Sequence, residues 1–291
     1  MKSAVKTVNS PLKDKLESLM PRPATIENYI VKGFGIFRRD ADTLPTNCFY
    51  KPSVAFILHG EKTAVIGREK FVCKAGQIMV AGTDVPSRFS LKASKRRPFL
   101  SLSLDLDGEI FSEFISQIPA RNTEYLNVRG VAVSNASPEI FDAFLRLLNT
   151  PQNRPETPLL ASITIREIHL LLLASSIGEH IYSLYTMGSC GNQILKTISW
   201  MKKNLASPIK IGELLKLSSM SESTFHRYFK RITNTTPIQF QKNLRLNEAR
   251  RLLISKLESV SGAAYAVGYE SPSQFSRDYK RLFGKTPMED K

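Results

Sequence analysis

Two stretches near the C-terminal end of the chain carry the same mixture of basic, hydroxyl and aromatic side chains. One reads SMSESTFHRYFKRITNTTP (residues 219–237) and the other reads YESPSQFSRDYKRLFGKTP (residues 269–287). They align without a gap, and eight of the seventeen residues from 221 to 237 recur fifty positions later. Arginine and lysine side chains contact phosphates and guanine edges, and serine and glutamine hydrogen-bond to bases. The repeated residue types therefore favour recognition of nucleic acid.

Each copy has three apolar residues at positions i, i+4 and i+7, which gives a short helix one buried face. These residues are Phe225, Phe229 and Ile232 in the first copy, and Phe275, Tyr279 and Leu282 in the second. The opposite face is polar and basic in both copies. The candidate DNA-binding residues are Ser221, Ser223, Thr224, His226, Arg227, Lys230, Ser271, Ser273, Gln274, Ser276, Arg277 and Lys280. Two acidic residues of the same helices, Glu222 and Asp278, are expected to be solvated, or to read cytosine amino groups in special cases.

A second, shorter helix is predicted before each of these helices. The segments IGELLKL (211–217) and VSGAAYAV (260–267) each precede a tight turn, SSMS in the first copy and GYES in the second. A helix, a turn and a basic second helix make the helix-turn-helix plan, in which the second helix enters the major groove of DNA. A single pattern of this kind also arises in ordinary helical bundles. Two ungapped copies in one basic region favour DNA binding.

The segment between the copies predicts one long helix. It begins with Thr236 as a cap and Pro237 at the first helical position, and its helical pattern continues to about Ser255. A helix of about 18 residues is roughly 27 Å long, and adjacent major grooves on one face of DNA lie about 34 Å apart. With the half-widths of the flanking motifs added, such a helix can hold two reading helices one DNA turn apart.

The first half of the chain has the pattern of a β-rich domain. From about Tyr29 to Leu106, short apolar or alternating runs are broken by Gly, Pro, Asn and Asp, as in a barrel or sandwich of short strands. The segment RPFLSLSLDLD (97–107) alternates strictly and predicts a half-buried strand. After this segment the apolar spacing becomes helical, and one helix is predicted to open with Ser137 and Pro138.

Charge and cysteine content restrict the class of protein. The chain has a formal net charge of +15, and residues 191–291 hold 18 Lys and Arg against 8 Asp and Glu. The basic excess therefore lies with the repeat, where it would attract a polyanion such as nucleic acid. Cys48, Cys73 and Cys190 have neither the spacing of a zinc site nor that of a disulfide framework.

Targeting signals are not evident in the sequence. No apolar segment follows the N-terminal MKSAVK, so no secretory signal is predicted. The most apolar run, residues 168–178, is shorter than the roughly 18 residues that a membrane-spanning helix needs. We therefore expect a cytoplasmic protein without a membrane partner.

The C-terminal region resembles the AraC/XylS family of bacterial transcription regulators. GYESPSQFSRDYKRLFGKTP (268–287) is similar to the family's C-terminal signature, MSESTFHRYFK (220–230) to its first recognition helix, and LRLNEARRLL (244–253) to its linker helix. The resemblance covers residues 192–290 and implies double-stranded DNA and RNA polymerase as partners. It implies base contacts from Ser223, His226, Arg227, Ser273, Gln274 and Arg277. The chain departs from the family at Ser218–Ser219, where a small residue followed by glycine is usual.

The first half resembles the cupin-like N-terminal domain of one AraC subgroup, through residues 51–107 and 158–178. This resemblance implies a β-barrel that senses a small-molecule effector or a partner, and a homodimer. The leucine-rich helix around 163–177 is the candidate interface, and core packing under the barrel is its alternative role. The expected fold class is α+β multi-domain, with an N-terminal cupin-like β-barrel carrying helices and a C-terminal all-α double helix-turn-helix. The expected domains are residues 1–187, a linker at 188–193, and residues 194–291 with motifs at about 211–232 and 260–283.

The alternative hypothesis is a β-barrel enzyme with an accessory DNA-binding module. A metal-dependent barrel enzyme needs clustered histidine and carboxylate ligands, but the β-rich region contains one histidine, His59. His169 and His180 are predicted to pack between helices. We therefore expect no metal and no cofactor, and favour a transcription activator over an enzyme. A redox or electrophile sensor at Cys48 or Cys73 is a further alternative.

Overall fold

The strands of the first half form two antiparallel sheets. A computed structural model of the chain describes residues 2–119 and 128–290. Its strands are β1 (Ala24–Ile26), β2 (Phe34–Arg39), β3 (Thr46–Tyr50), β4 (Ser53–His59), β5 (Glu61–Ile66), β6 (Glu69–Lys74), β7 (Gln77–Ala81), β8 (Val85–Lys92), β9 (Phe99–Asp105) and β10 (Val131–Asn135). The larger sheet has the order β1-β2-β9-β4-β7-β10, and the smaller has the order β3-β8-β5-β6. The predicted β-rich region is confirmed.

The inner faces of the two sheets pack against each other. Their buried apolar residues form one cluster, made of Ile57, Met79, Ala81, Phe99 and Val131 from the larger sheet and Ala64, Ile66, Cys73, Val85 and Leu91 from the smaller. The outer face of the larger sheet is buried as well, because Leu100, Leu102 and Leu104 of β9 join a second cluster that includes helical residues. The prediction that this strand is half-buried is therefore wrong, since the smaller sheet covers one face of the strand and helices cover the other.

The helices of the first half supply that cover. They are α1 (Lys2–Leu19), α2 (Gly108–Ser116), α3 (Pro138–Leu148), α4 (Thr157–Ala174) and α5 (Gly178–Tyr185). Helix α1 was not predicted from the sequence; its buried Leu12 and Leu16 belong to the cluster on the outer face of the larger sheet. Helix α3 begins as predicted, because the Ser137 side chain accepts a hydrogen bond from the Ile140 amide and Pro138 is the first helical residue.

Helix α4 has the length and apolar composition of a membrane-spanning helix. The sequence expectation considered only the apolar run from residue 168 and was wrong about the length of the segment. A core helix of a globular protein passes the same test, and α4 packs against α2, α3 and α5. Ile168, His169 and Leu172 are among its buried residues.

The C-terminal part of the chain is helical. Its helices are α6 (Cys190–Lys203), α7 (Ile211–Ser218), α8 (Glu222–Thr233), α9 (Pro237–Ile254), α10 (Val260–Ala266) and α11 (Pro272–Phe283). Helix α6 starts at Cys190 with Ser189 as its cap, so most of the segment predicted as a linker, 188–193, is helical. Helix α9 matches its prediction: the Thr236 side chain accepts from the Gln239 amide, and the helix ends before Ser255.

The two helical motifs belong to different apolar cores. Phe225, Phe229 and Ile232 of α8 lie in the same cluster as the helices and outer sheet face of the first half. Phe275 and Tyr279 of α11 lie in a separate cluster with residues of α9 and α10. The first motif is thus packed onto the N-terminal half, whereas the second has a core of its own.

Candidate nucleic-acid interface

Helix α8 of the first motif presents a polar face opposite its buried aromatic residues. Phe225, Phe229 and Ile232 are fully buried, as their spacing predicted. The Ser221 side chain accepts a hydrogen bond from the Thr224 amide at 3.4 Å and so caps the helix. Of the other candidate DNA-binding residues, Ser223, Arg227 and Lys230 are exposed, and Thr224 and His226 are half-buried. This polar face can enter a DNA groove while the buried Phe225, Phe229 and Ile232 keep their packing.

Helix α11 of the second motif repeats the arrangement. Phe275 and Tyr279 are fully buried, and Leu282 is half-buried at the end of the helix. The Ser271 side chain caps the helix by accepting from the Gln274 amide at 3.4 Å. The remaining candidate DNA-binding residues lie opposite: Ser273, Gln274, Arg277 and Lys280 are exposed, and Ser276 is half-buried.

The two acidic residues of these helices have different surroundings. Glu222 is exposed and lies 3.9 Å from His226 one turn along the helix. Asp278 is only 8% exposed. Its carboxylate lies 2.6 Å from the Lys242 ammonium of α9 and accepts a hydrogen bond from the Tyr269 hydroxyl at 3.4 Å. The expectation that Asp278 is solvated is therefore wrong, and its role is to join α11 to α9.

The turns of the two motifs differ by one residue. In the first motif Ser219 adopts the left-handed conformation with φ of 52°, two residues before the cap Ser221. In the second motif the left-handed residue is Gly268, with φ of 85°, three residues before the cap Ser271. The fifty-residue register therefore holds for the reading helices but not for the turns. A serine takes the left-handed position of the turn in the first motif, with some backbone strain, and a glycine takes it in the second.

Arg245 of α9 connects the two motifs, and sequence reasoning missed it. Its guanidinium donates hydrogen bonds to the carbonyl oxygens of Leu205, Ala206, Ser207 and Gly268 at 2.9 to 3.1 Å. Three of these carbonyls belong to the segment between α6 and α7, and the fourth belongs to the turn of the second motif. The five donors of a guanidinium lie in one rigid plane, so this contact fixes the second motif relative to the first.

Arg227 and Arg277 occupy matching places but have different neighbours. The Arg227 guanidinium lies 5.4 Å from the centre of the Tyr228 ring. Arg227 also lines a cavity of about 500 Å³ between α8 and the turn that joins α5 to α6. Arg277 is exposed on α11, at the motif that has a separate core. Thus the first reading helix shares its core with the N-terminal half, whereas the second touches that half through the Asn47 side-chain amide, which donates to the Leu282 carbonyl.

Residues that could serve other chemistry are dispersed or occupied. Within residues 2–119 and 128–290, no group of three or more His, Cys, Asp and Glu residues could hold a metal ion. Burial raises the pKa of Cys48 to about 11 and that of Cys73 to about 12. Both thiols therefore stay protonated at neutral pH, which disfavours a thiolate sensor.

Two histidines of the N-terminal half, His59 and His169, have structural roles. The His59 ring lies at the end of β4, with Nδ1 at 2.5 Å from the Pro98 carbonyl oxygen. His169 is fully buried; its Nε2 accepts from the Asp107 amide at 2.9 Å and its Nδ1 donates to the Ile165 carbonyl at 2.8 Å. Burial lowers the pKa of His169, so a neutral ring suits both bonds. The prediction that it packs between helices is confirmed.

The fold and the two exposed basic helices define a protein with tandem helix-turn-helix motifs behind a β-rich half. Residues 30–180 match the family model described as AraC-type transcriptional regulator N-terminus, and residues 214–291 match a helix-turn-helix domain model. The chain belongs to the AraC-type transcriptional regulators.

Individual relatives share parts of the chain. The HTH-type transcriptional regulator ArgR of Pseudomonas aeruginosa is 30% identical over 105 residues, which cover 36% of this chain and 32% of that protein. The HTH-type transcriptional activator RhaS of Pectobacterium atrosepticum is 27% identical over 126 residues, which cover 43% of this chain and 45% of that protein. The chain thus spans less than half the length of these relatives.

A solved structure shares the fold over nearly the whole chain. The structure of unsaturated fatty acid bound wild-type ToxT from Vibrio cholerae matches with a TM-score of 0.63, over 93% of this chain and 96% of that chain. The two sequences are 10% identical, so the likeness concerns the fold. It confirms the predicted combination of a sheet-rich N-terminal part and a helical helix-turn-helix part.

Proposed function

We propose that this protein is a sequence-specific DNA-binding transcription regulator of the AraC/XylS type, an activator that responds to a small molecule or partner through its N-terminal half. One observation carries the proposal: two capped helices expose arginine and lysine opposite their buried aromatic residues, and one 18-residue helix joins them. The named relatives are transcription regulators, and we propose that this protein is not an enzyme. We retain the division into residues 1–187, 188–193 and 194–291, and a cytoplasmic location.

The candidate DNA-binding residues divide into three roles. We assign base contacts to Ser223, His226, Arg227, Ser273, Gln274 and Arg277, and phosphate contacts to Thr224, Lys230, Ser276 and Lys280. The side-chain oxygens of Ser221 and Ser271 cap the two helices. We assign the backbone amides of these two serines to phosphate contacts at the helix N-termini. Backbone contacts position a protein on DNA, whereas contacts to base edges provide sequence specificity.

The test is binding of the full chain to DNA over a range of salt concentrations. We expect selected fragments to bind tightly at low salt, with an affinity that falls steeply as salt rises because bound counterions are released. Lys230→Ala and Lys280→Ala should each reduce the slope of log affinity against log salt by about one. Lys70→Ala, an exposed lysine of β6, is the matched control and should leave the slope unchanged. Absent binding, or binding indifferent to salt, would contradict the proposal.

We also propose that the protein is a homodimer and that α4 provides the interface. Leu159, Ile163 and Leu170 are 65%, 59% and 44% exposed and follow one side of this helix. Ile168 and Leu172, which lie in the segment 163–177 predicted as the interface, are buried in the core instead. Sedimentation should give a dimer for wild type and a monomer for the double variant Leu159→Glu, Ile163→Glu. A wild-type monomer at micromolar concentration, with and without DNA, would overturn this proposal.

Activation requires a contact with RNA polymerase, which we propose for the helical part of the chain. The ToxT structure is that of the unsaturated fatty acid bound protein, and the shared fold supports the proposal of a small-molecule effector for this chain. Mapping of bound DNA across the genome, with transcription measured in cells that lack the protein, would identify the regulated genes and the sign of regulation.

A further inference from the structure

The repeat of the two motifs continues past the reading helices. Each of these helices is followed by a left-handed residue and, two positions later, by a capping threonine. Thr236 Oγ1 accepts a hydrogen bond from the Gln239 amide at 3.4 Å. Thr286 Oγ1 accepts one from the Glu289 amide at 3.3 Å. The second copy therefore repeats the start of α9 after its own reading helix.

The next position of the repeat holds residues of different chemistry. Four positions after the capping threonine stands Phe240 in the first copy and Asp290 in the second. The Phe240 ring centre lies 5.4 Å from that of Phe229 in α8, with the ring planes at 90°. In the second copy the Tyr279 hydroxyl of α11 donates to Asp290 Oδ2 at 2.9 Å. Because Phe229 and Tyr279 are equivalent positions, a hydrogen bond to a carboxylate replaces a contact between two rings.

Asp290 also has two cationic partners. Nε and Nη2 of Arg250 in α9 donate to its two carboxylate oxygens at 2.7 and 3.3 Å. The Lys285 ammonium, in the turn after α11, lies 2.9 Å from Oδ1. The Asp290 side chain is only 6% exposed. One buried carboxylate thus joins α9, α11 and the turn that follows α11.

The surroundings of Asp290 fix the protonation states of this contact. Burial raises the pKa of Asp290, but its three hydrogen-bond donors outweigh that effect and lower the pKa below its ordinary value. Burial and the bond to Asp290 raise the pKa of the Tyr279 hydroxyl. At neutral pH the carboxylate is therefore charged and the hydroxyl is protonated, as a charge-assisted hydrogen bond requires.

The Arg250 guanidinium is held on its other side by an aromatic ring. It lies 4.7 Å from the centre of the Phe283 ring of α11. The Phe283 ring centre lies 4.6 Å from that of Tyr279, one turn earlier on the same helix. A planar guanidinium between a carboxylate and a ring permits little displacement. The C-terminal half of α11 is therefore fixed against α9 by directional contacts.

We propose that Asp290 is the positioning residue of the second reading helix, with the role that Phe240 has in the first. Its carboxylate fixes the direction of α11, and with it the exposed Gln274 and Arg277 of the preceding turns. The proposal rests on the proposed base contacts of these two residues. It adds a residue that acts on sequence specificity without contacting a base.

The geometry of a helix explains why this end of α11 affects specificity. Ser273 and Gln274 precede Tyr279 by six and five residues. They lie about 8 to 9 Å from it along the helix axis, so a tilt of about 10° displaces their side chains by about 1.5 Å. Hydrogen bonds to base edges weaken steeply over such a displacement. Loss of the Asp290 contact should therefore relax base preference and leave the reading side chains themselves intact.

Binding-site selection with the full chain tests this role. Asp290→Asn keeps the shape of the side chain and an acceptor for the Tyr279 hydroxyl, but removes the counter-ion of Arg250 and Lys285. We expect discrimination between bases at the half-site of the second motif to fall by about tenfold, within the range that one bidentate contact provides. Discrimination at the half-site of the first motif should stay as in wild type.

A neighbouring carboxylate provides the control for charge. Glu289 is exposed and belongs to the same turn as Asp290. Glu289→Gln removes the same charge and should leave preference at both half-sites unchanged. An equal loss of preference in Glu289→Gln and Asp290→Asn would show that net charge is responsible, which would overturn the proposal.

The partner on α9 provides a second test. Arg250→Met should relax the same half-site as Asp290→Asn, because it removes the other side of the contact. The double variant should relax it no further than the stronger single variant, since the two residues act in one interaction. Arg251→Met, at an exposed residue of the same helix, should leave preference unchanged. Independent, additive effects of Asp290→Asn and Arg250→Met would overturn the contact as the cause.

The first motif provides the mirrored change. Phe240→Leu weakens the packing against Phe229 and should relax the half-site of the first motif only. If Phe240→Leu relaxes the second half-site, or Asp290→Asn the first, the equivalence of Phe240 and Asp290 is wrong.

Hydrogen exchange on the same samples separates positioning from folding. Helix α11 should stay protected in Asp290→Asn, because its apolar core is unchanged. Loss of all protection in α11, or equal weakening of binding to every sequence, would indicate a purely structural residue and overturn the proposal. Selected sites with unchanged preference at the second half-site would overturn the role of Asp290 alone. A wild-type protein that selects no site would overturn the proposed DNA-binding function, and this role with it.

Discussion

The two helix-turn-helix motifs carry matching side chains in the same register, but different parts of the molecule hold them in place. The first motif shares its core with the N-terminal half, through Phe225, Phe229 and Phe240. The second has a smaller core built from α9, α10 and α11. A repeated local pattern thus fixes the shape of each reading helix, whereas its attachment depends on partners far away in the sequence.

Because of this difference, separate sets of contacts position the two motifs. Strand β3 of the smaller sheet reaches the first motif through the Phe49, Phe240 and Phe229 rings. The second motif is positioned from α9 by Arg245 and by the Lys242–Asp278 ion pair. Changes in these aromatic contacts should therefore act first on the first motif, and changes at Arg245 or Lys242 on the second.

The largest effect is expected at the turn of the second motif. A Cβ atom on Gly268 would lie 2.1 Å from the Ala206 carbonyl oxygen, and its φ of 85° is unfavourable for other residues. Gly268→Ala should destabilise the second motif by about 3 kcal/mol or more, since a steric clash adds to backbone strain. Hydrogen exchange should show α11 losing protection more than α8.

Gly284 provides the matched control for this change. It has a similar φ of 79°, but a Cβ atom there would meet no atom within 4 Å. Gly284→Ala should therefore cost only about 1 kcal/mol, from backbone strain alone. Equal losses in the two variants would show that the contact with Ala206 does not hold the second motif.

Arg245→Met is expected to have the next largest effect. The variant keeps the apolar part of the side chain but removes the donors to Leu205, Ala206, Ser207 and Gly268. Loss of these charge-assisted bonds should lower the free energy of unfolding by about 2 to 3 kcal/mol. Chemical denaturation measures it. Arg251→Met is the control, because Arg251 makes an exposed pair with Glu248 worth about 0.5 kcal/mol or less.

Arg245→Met should also change how the affinity for DNA depends on the spacing between half-sites. Each motif keeps its own reading residues, so each half-site is still recognised, but the fixed separation of the two helices is lost. Sites with altered spacing between half-sites should then bind almost as well as the wild-type site. Retained discrimination against altered spacing would contradict the connecting role of Arg245.

Replacing one reading arginine tests whether the motifs read separate bases. Arg227→Ala and Arg277→Ala should each relax preference at one position, at a cost of about 1 to 3 kcal/mol of discrimination against the wrong base. The two positions should lie about 10 base pairs apart, because α9 separates the reading helices. Site selection on both variants and on Lys230→Ala measures this. If both arginine variants lose preference at the same base pair, the two-groove model is wrong.

The smallest effect is expected at the turn of the first motif. Ser219 is exposed and holds a left-handed conformation with φ of 52°. Ser219→Gly should stabilise the protein by up to about 1 kcal/mol, because relief of strain outweighs the greater freedom of glycine in the unfolded chain. Thermal unfolding measures the gain. Ser218→Gly, at a buried helical residue, is the control and should destabilise; a loss in both variants would disprove strain at Ser219.

Much of the candidate interface could be predicted because it is encoded locally. Cap residues, apolar spacing and the proline at the start of α9 lie within a few residues of the helices that they specify. The buried faces of α8 and α11 and the bounds of α9 followed from these signals. The burial of Asp278 did not, because its partner Lys242 lies on another helix.

What the sequence determined by itself is the pair of capped reading helices, the helix between them and the basic charge around them. These depend on short-range periodicity and capping, which the order of residues displays directly. Only the tertiary structure decided that the first motif shares the N-terminal core and that Arg245 joins the two motifs. Those features depend on strand pairing and on contacts such as that of Asn47 with Leu282, 235 residues apart. No local pattern specifies which distant segments will meet, because burial of the whole chain selects them together.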